Sequence, residues 1–206
     1  MRNFRCMAVM AMFTATVAAV SAQTGTGAGA APAPAQPAAP QPAARPMTLT
    51  TTAFADGAQI PVRYTQAGEQ VSPALSWTNT PTNTVSFVLH MHDLEVARNR
   101  TTDDQVHWLV WNIPGTATSL PEGVPPGAER PDGSRQISAS GPSYRGPGAP
   151  ATGPLHHYTF ELYALDAKID VPAGADAFET RTNVLKAMQG HILGKAVYMG
   201  LFRRPQ

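Results

Sequence analysis

Thr84-Val-Ser-Phe-Val-Leu-His-Met-His-Asp93 decides how this chain is read. Val85, Phe87, Leu89 and Met91 take alternate positions, the period of a pleated strand, with Ser86, Val88, His90 and His92 on the other face. Val106-His-Trp-Leu-Val-Trp-Asn-Ile113 follows as a second strand. His157 to Leu165 and Lys195 to Phe202 are a third and a fourth. Met47 to Thr52 and Ile60 to Thr65 are shorter candidates. All are rich in β-branched and aromatic residues and bounded by Gly, Pro, Asn or Asp. One helix is expected, with Thr180 as its N-cap, apolar Val184, Leu185, Ala187 and Met188 at helical spacing, and Gly190 at its end. Pro121 to Pro154 is a long Pro/Gly-punctuated region, and loops of that length in a compact domain usually carry function. The residues predict a mainly β, sandwich-like domain with a C-terminal helix before the last strand.

The rest of the chain sets the domain limits. Met1 to Ala22 has a basic start at Arg2 and Arg5, an apolar stretch from Cys6 to Val20 and a small-residue site at Val20-Ser21-Ala22. That pattern predicts a Sec-type signal peptide cut before Gln23, hence a secreted or periplasmic protein with no integral membrane span after processing. The apolar stretch is shorter than the ~20 residues of a spanning helix. Gln23 to Pro46 holds nine Ala, six Pro and three Gly in 24 residues, a composition that buries no core and is read as a disordered linker. The folded domain is then 47–206.

Composition excludes several classes. Only 14% of the 206 residues are charged and the formal net charge is +1, with no Lys/Arg run to follow a phosphate backbone, so nucleic acid is not an expected partner. The single cysteine, Cys6, lies in the leader, which rules out a disulfide framework or zinc ribbon. No Gly-x-Ser-x-Gly elbow and no Walker loop is present.

The six histidines, His90, His92, His107, His156, His157 and His191, all lie in the domain. Strand alternation groups His107 with Leu109 and Trp111, and His156 with Tyr158 and Phe160; Asp93 faces away from His90 and His92. His-x-His with a nearby Asp is a weak metal signature. The competing interpretation is a polar His/Asp pocket for an anion, in which imidazolium donates and Asp sets tautomer and charge. The bland alternative is surface histidine on half-buried strands.

HWLVWNIP (His107 to Pro114), YRGPGAP (Tyr144 to Pro150) and GPLHHYTFELYALD (Gly153 to Asp166) follow one another in the order of a known family. With SPALSW (Ser72 to Trp77) and AMQGHILGKA (Ala187 to Ala196), the chain resembles the phosphatidylethanolamine-binding protein (PEBP) family, in its bacterial Raf-kinase-inhibitor-like branch. The resemblance implies two antiparallel sheets, a small anion pocket at one edge and a homodimer. It implies ligand-binding roles for Asp93, His107, Gly146, Pro147, Pro150, His156 and Tyr158. It also implies a phosphate-containing or other small anionic ligand such as a phospholipid head group, held without catalysis, cofactor or metal. Inhibition of a secreted protease or other hydrolase is one alternative; a small hydrolase or metal-dependent enzyme using the same pocket is another. The family's DPDxP segment reads Asp93-Leu-Glu-Val-Ala97 here, so a looser loop is expected without its prolines. His157 stands where the family has Arg. Protonation of both pocket imidazoles predicts tighter anion binding as pH falls.

Overall fold

The computed structural model describes residues 45–206. The expected signal peptide and all but the last two residues of the expected linker lie outside them. Eight strands and one helix follow in chain order: β1 (Thr48–Thr50), β2 (Leu75–Thr78), β3 (Ser86–Asp93), β4 (Gln105–Pro114), β5 (Ser119–Leu120), β6 (Arg135–Ile137), β7 (His156–Leu165), α1 (Ala177–Ala187) and β8 (Ile192–Phe202). They form a three-stranded sheet ordered β1-β2-β5 and a five-stranded sheet ordered β6-β4-β3-β7-β8, with every pair antiparallel. This is the mainly β, two-sheet fold with one helix before the last strand that the sequence predicts.

The central strand explains the apolar run. One face of the larger sheet packs Phe87, Met91, Trp108 and Phe160 into a core shared with Leu49 and Trp77 of the smaller sheet. Its other face packs Val88, Leu109, Trp111 and Leu165 against Val184 and Met188 of the helical segment. β3 is therefore covered on both sides, and all eight of its residues are buried.

Three local expectations are corrected. Ile60 to Thr65 is not a strand: Pro61 lacks a ladder donor and leads into a short 3-10 turn at Val62–Tyr64. The helix starts a turn earlier than expected, because the Asp176 carboxylate caps the Phe178 and Glu179 N–H groups at 2.7 and 3.0 Å. Thr180 lies inside the helix, its hydroxyl bonded to the Asp176 carbonyl. The buried residues of its first half are Ala177, Thr180 and Arg181, too polar a set to mark an apolar stripe. Short strands β2, β5 and β6 carry too few residues for a period to be read.

Strand β4 departs from regular pairing twice. Phe87 pairs with Ile113 but Leu89 with Val110, and Met91 pairs with Trp108 but His92 with Val106. Each bulge gives β4 one residue more than β3 and breaks its alternation. At the first, Asn112 takes φ 57°, and its side chain bonds the Ile169 N–H and C=O on the helix side. At the second, the extra residue is His107.

Candidate functional site

Asp93 ends β3 and His156 begins β7, the neighbouring strand, so the two meet at one edge of the larger sheet. Asp93 is only 3% exposed. His156 Nδ1 lies 3.0 and 2.9 Å from the two Asp93 carboxylate oxygens and donates to them. The carboxylate also accepts the Glu95 N–H at 3.1 Å. The β4 bulge brings in His107, 2% exposed. Alternation had grouped it with Leu109 and Trp111; the structure instead stands it edge-on to Tyr158, centroids 5.0 Å apart. The extra residue reverses its face.

These side chains line a cavity of about 190 Å³ with Gln66, Val96, Gln105, Arg145, Gly148, Ala149 and Pro150. Two hollows of about 680 and 540 Å³ have no histidine and no carboxylate side chain among the described residues that line them. The Arg145–Pro150 segment is fastened on three sides. The Tyr158 hydroxyl accepts the Gly148 and Ala149 N–H groups at 3.2 and 3.1 Å. Gln66 donates its amide to the Gly146 carbonyl and its backbone N–H to the Pro147 carbonyl. Arg204 donates its backbone N–H to the Ala149 carbonyl.

The expected site residues thus separate into two groups. Asp93, His107, Pro150 and His156 line the cavity. Gly146 and Pro147 do not, because they pack against the chain at Tyr64 to Gln66. A Cβ on Gly146 would lie 2.7 to 2.8 Å from backbone atoms of Tyr64 and Thr65. Tyr158 is a buttress behind the lining. Arg145 was not foreseen, although it is the one basic residue in YRGPGAP. The Asp93–Ala97 turn, expected to be loose, is tied down: Glu95 accepts the His157 backbone N–H at 2.7 Å and the His157 ring Nδ1–H. Burial raises the Glu95 pKa, but these two bonds outweigh it and hold it low. His157 in place of Arg and Glu95 are therefore partners.

Protonation states follow from the geometry. His107 Nδ1 faces the Arg145 carbonyl at 3.0 Å, so Nδ1 carries the proton and the neutral ring keeps its lone pair on Nε2. Burial lowers its pKa to about 4, against smaller upward pulls from that carbonyl and from Asp93. The expectation of two imidazolium rings at mildly acid pH is corrected for His107, which stays neutral. Burial chiefly, and Asp93 next, push the Tyr158 phenol up.

A depressed folded-state pKa has a stability consequence. His107 contributes fully above the unfolded value near 6.5, and that contribution is lost as pH falls toward about 4. The unfolded chain binds the extra proton in that window, so acid favours unfolding by ~3 kcal/mol. His107→Asn keeps a donor for the Arg145 carbonyl and removes the titration. Urea unfolding at pH 7 and pH 4.5 should show a smaller acid loss for this variant than for the wild type.

His90 and His92 face the other way, toward the helix. Asp93 is not with them, so the His-x-His-Asp93 grouping is not assembled. Asp104, Glu161 and Arg181 join them instead. Burial drives His90 down to about 3. Burial opposes charge on His92 too, but the hydrogen bond with Asp104 and the nearby Glu161 carboxylate raise it to about 9.

The sequence profile described as phosphatidylethanolamine-binding protein matches residues 50–203. This chain belongs to the PEBP family. A UPF0098 protein of Methanothermobacter thermautotrophicus is 44% identical over 160 residues, covering 77% of this chain and 99% of that protein. LppC of Mycobacterium tuberculosis, which bears a lipoprotein name, is 33% identical over 153 residues, covering 73% of this chain and 71% of its own length. Among solved structures, the PEBP homolog CT736 of Chlamydia trachomatis superposes with a TM-score of 0.66 at 30% identity, covering 77% of this chain and 98% of its own. Escherichia coli YbcL has the same fold, with a TM-score of 0.64 at 24% identity over 78% of this chain and 99% of that one. No helix among the described residues is long and apolar enough to cross a membrane.

Proposed function

We propose that this PEBP-family protein is exported and holds a small phosphate-containing or similar anionic ligand in the Asp93–His107–His156 cavity, without turning it over. The observation that carries this is the convergence of three strand-borne groups, from β3, β4 and β7, on one cavity that Arg145 also lines. Arginine is charged throughout the working pH range and fits oxyanions in a planar fork. Neutral His107 leaves an acceptor at Nε2, which suits a ligand bringing a proton on its phosphate. Asp93 opposes a bare dianion and favours a ligand carrying its own cation, as a zwitterionic head group does. At about 190 Å³ the cavity is smaller than the ~300–1,000 Å³ of ordinary small-molecule sites, which favours a head group or free anion over a whole lipid. Among the described residues the lining holds no Ser, Thr, Cys or Lys nucleophile, which favours binding over turnover. Export rests on the leader pattern of Met1 to Ala22 and agrees with a relative bearing a lipoprotein name.

Calorimetry at pH 7 with inorganic phosphate and phosphoethanolamine tests it. Both should bind saturably, phosphoethanolamine more tightly. Asp93→Asn should erase that preference by helping the dianion and removing the partner of the ammonium group. His156→Gln should weaken both ligands. Failure of the wild type to bind either one, or full affinity in His156→Gln, removes the basis for the proposal.

A further inference from the structure

We propose that His90, His92 and Asp104, with Glu161 as a fourth ligand, form a site for a divalent transition-metal ion of the zinc type on the helix-covered face of the five-stranded sheet. The residues come from two adjacent strands, β3 and β7, and the turn before a third, β4. His90 and His92 sit two apart on β3, so their rings share a face, and they stack with centroids 4.2 Å apart and planes 9° from parallel. Glu161 of β7 is the register partner of His90. Asp104 immediately precedes β4 and is bonded to His92 Nδ1. A cavity of about 210 Å³ opens among them, beneath Arg181 and Leu185 of α1.

Unsatisfied nitrogen is the first argument. The Nε2 atoms of both His90 and His92 are buried with no hydrogen-bond partner among the described residues, on side chains only 5% and 10% exposed. His90 Nδ1 comes no closer than 4.0 Å to Glu161 Oε2. Buried polar atoms left unpaired are uncommon in native proteins and ask for an occupant. Two aromatic nitrogens and carboxylate oxygens are the ligand set that zinc takes, whereas calcium and magnesium prefer oxygen alone.

The carboxylates are the second. Each is held at one oxygen by a cation that leaves the other oxygen toward the imidazoles. Arg181 binds Asp104 Oδ1 at 2.6 Å while Oδ2 meets His92. Lys195 binds Glu161 Oε1 at 2.5 Å while Oε2 lies 3.7 Å from His92 Nε2. Tyr163 donates to the same Oε2 at 2.6 Å. Outer groups of this kind orient first-contact ligands in metal sites. One ligating atom each from His90, His92 and Asp104 already lies within 4.8 Å of the others. Bonds of about 2.0–2.2 Å to a shared ion require these atoms, and Glu161 Oε2 beside them, to close in around it. The site is on the opposite face of β3 from Asp93, so its loading is separable from phosphate binding.

Zinc added to the chelator-stripped, untagged full chain should bind at one ion per chain by calorimetry. It should shift the imidazole signals of His90 and His92 in two-bond proton–nitrogen spectra and leave exposed His191 in place. Cobalt(II) at the same site should give visible absorption of tetrahedral intensity. His92→Gln and Asp104→Asn should each weaken zinc by more than the ~10–100-fold expected for losing an outer partner, the range in which Lys195→Met should fall. The spectra are read on the wild type, so a variant that fails to fold leaves the test standing. No stoichiometric zinc uptake overturns the proposal. So does zinc that moves His156 and spares His90 and His92, which would seat the ion at Asp93, Glu95 and His156, the other such grouping within 4.8 Å among the described residues.

Discussion

Arg145→Met should weaken inorganic phosphate binding about ten- to hundred-fold at pH 7 and move the melting temperature by less than about 2 °C. Among the described residues, Arg145 is the only Lys or Arg that lines the cavity. Its backbone is fixed to β4 twice, its N–H donating to the His107 carbonyl at 3.0 Å and its carbonyl accepting from His107 Nδ1. The guanidinium is less committed: one nitrogen bonds the Ser140 hydroxyl, and Nε is buried without a partner. A charge-assisted hydrogen bond to an anion contributes about 1.5–3 kcal/mol, which sets the fold-change. Methionine keeps an unbranched stem, so packing changes little. Calorimetric titration beside a melting curve separates the two effects. Unchanged phosphate affinity in this variant would leave the His156–Asp93 pair as the anchor and remove Arg145 from the site.

Trp111→Ala should lower stability by about 3–5 kcal/mol and the melting temperature by roughly 6–20 °C. Trp111 is fully buried on the helix side of the larger sheet, with Leu109 and Val184 in the same core. Its indole N–H donates to the Val171 carbonyl at 2.9 Å, tying β4 to the segment that leads into α1. Alanine removes the largest side chain of that layer and one of the bonds holding the Val171 carbonyl; the other comes from Arg135. Phosphate affinity, measured well below the new midpoint, should hold, because the anion cavity opens on the other face of the sheet. Urea unfolding and calorimetry check both halves. A loss under about 1 kcal/mol would mean that α1 collapses onto the gap.

Much of this was legible before any coordinates. Phe87 to Met91 and Trp108 to Ile113 announce buried strands through β-branched and aromatic content. Asp93 and His156, at strand ends beside turns, stand where a cavity can form. His107 shows the limit. Its face follows from a bulge, and a bulge is a pairing event between two strands that leaves no mark on the period of either one. Arg145 was hidden in an irregular loop, where no period exists to aim a side chain. Glu95 and His157 looked like separate departures from a family pattern, and only the turn geometry shows them bonded to each other.

The linear chain by itself determined the class of fold, the long strands of the larger sheet and the family, because local propensity, apolar spacing and ordered motif blocks are properties of short segments. It also placed Asp93 on the opposite face from His90 and His92. Only the tertiary structure decided which distant residues complete each cluster: His107, His156 and Arg145 around Asp93, and Asp104 and Glu161 around His90 and His92. Those partners lie between 12 and 71 positions apart in sequence. Their meeting depends on strand order, register and two inserted residues, which are set by how the sheets bury apolar surface together and not by any one segment.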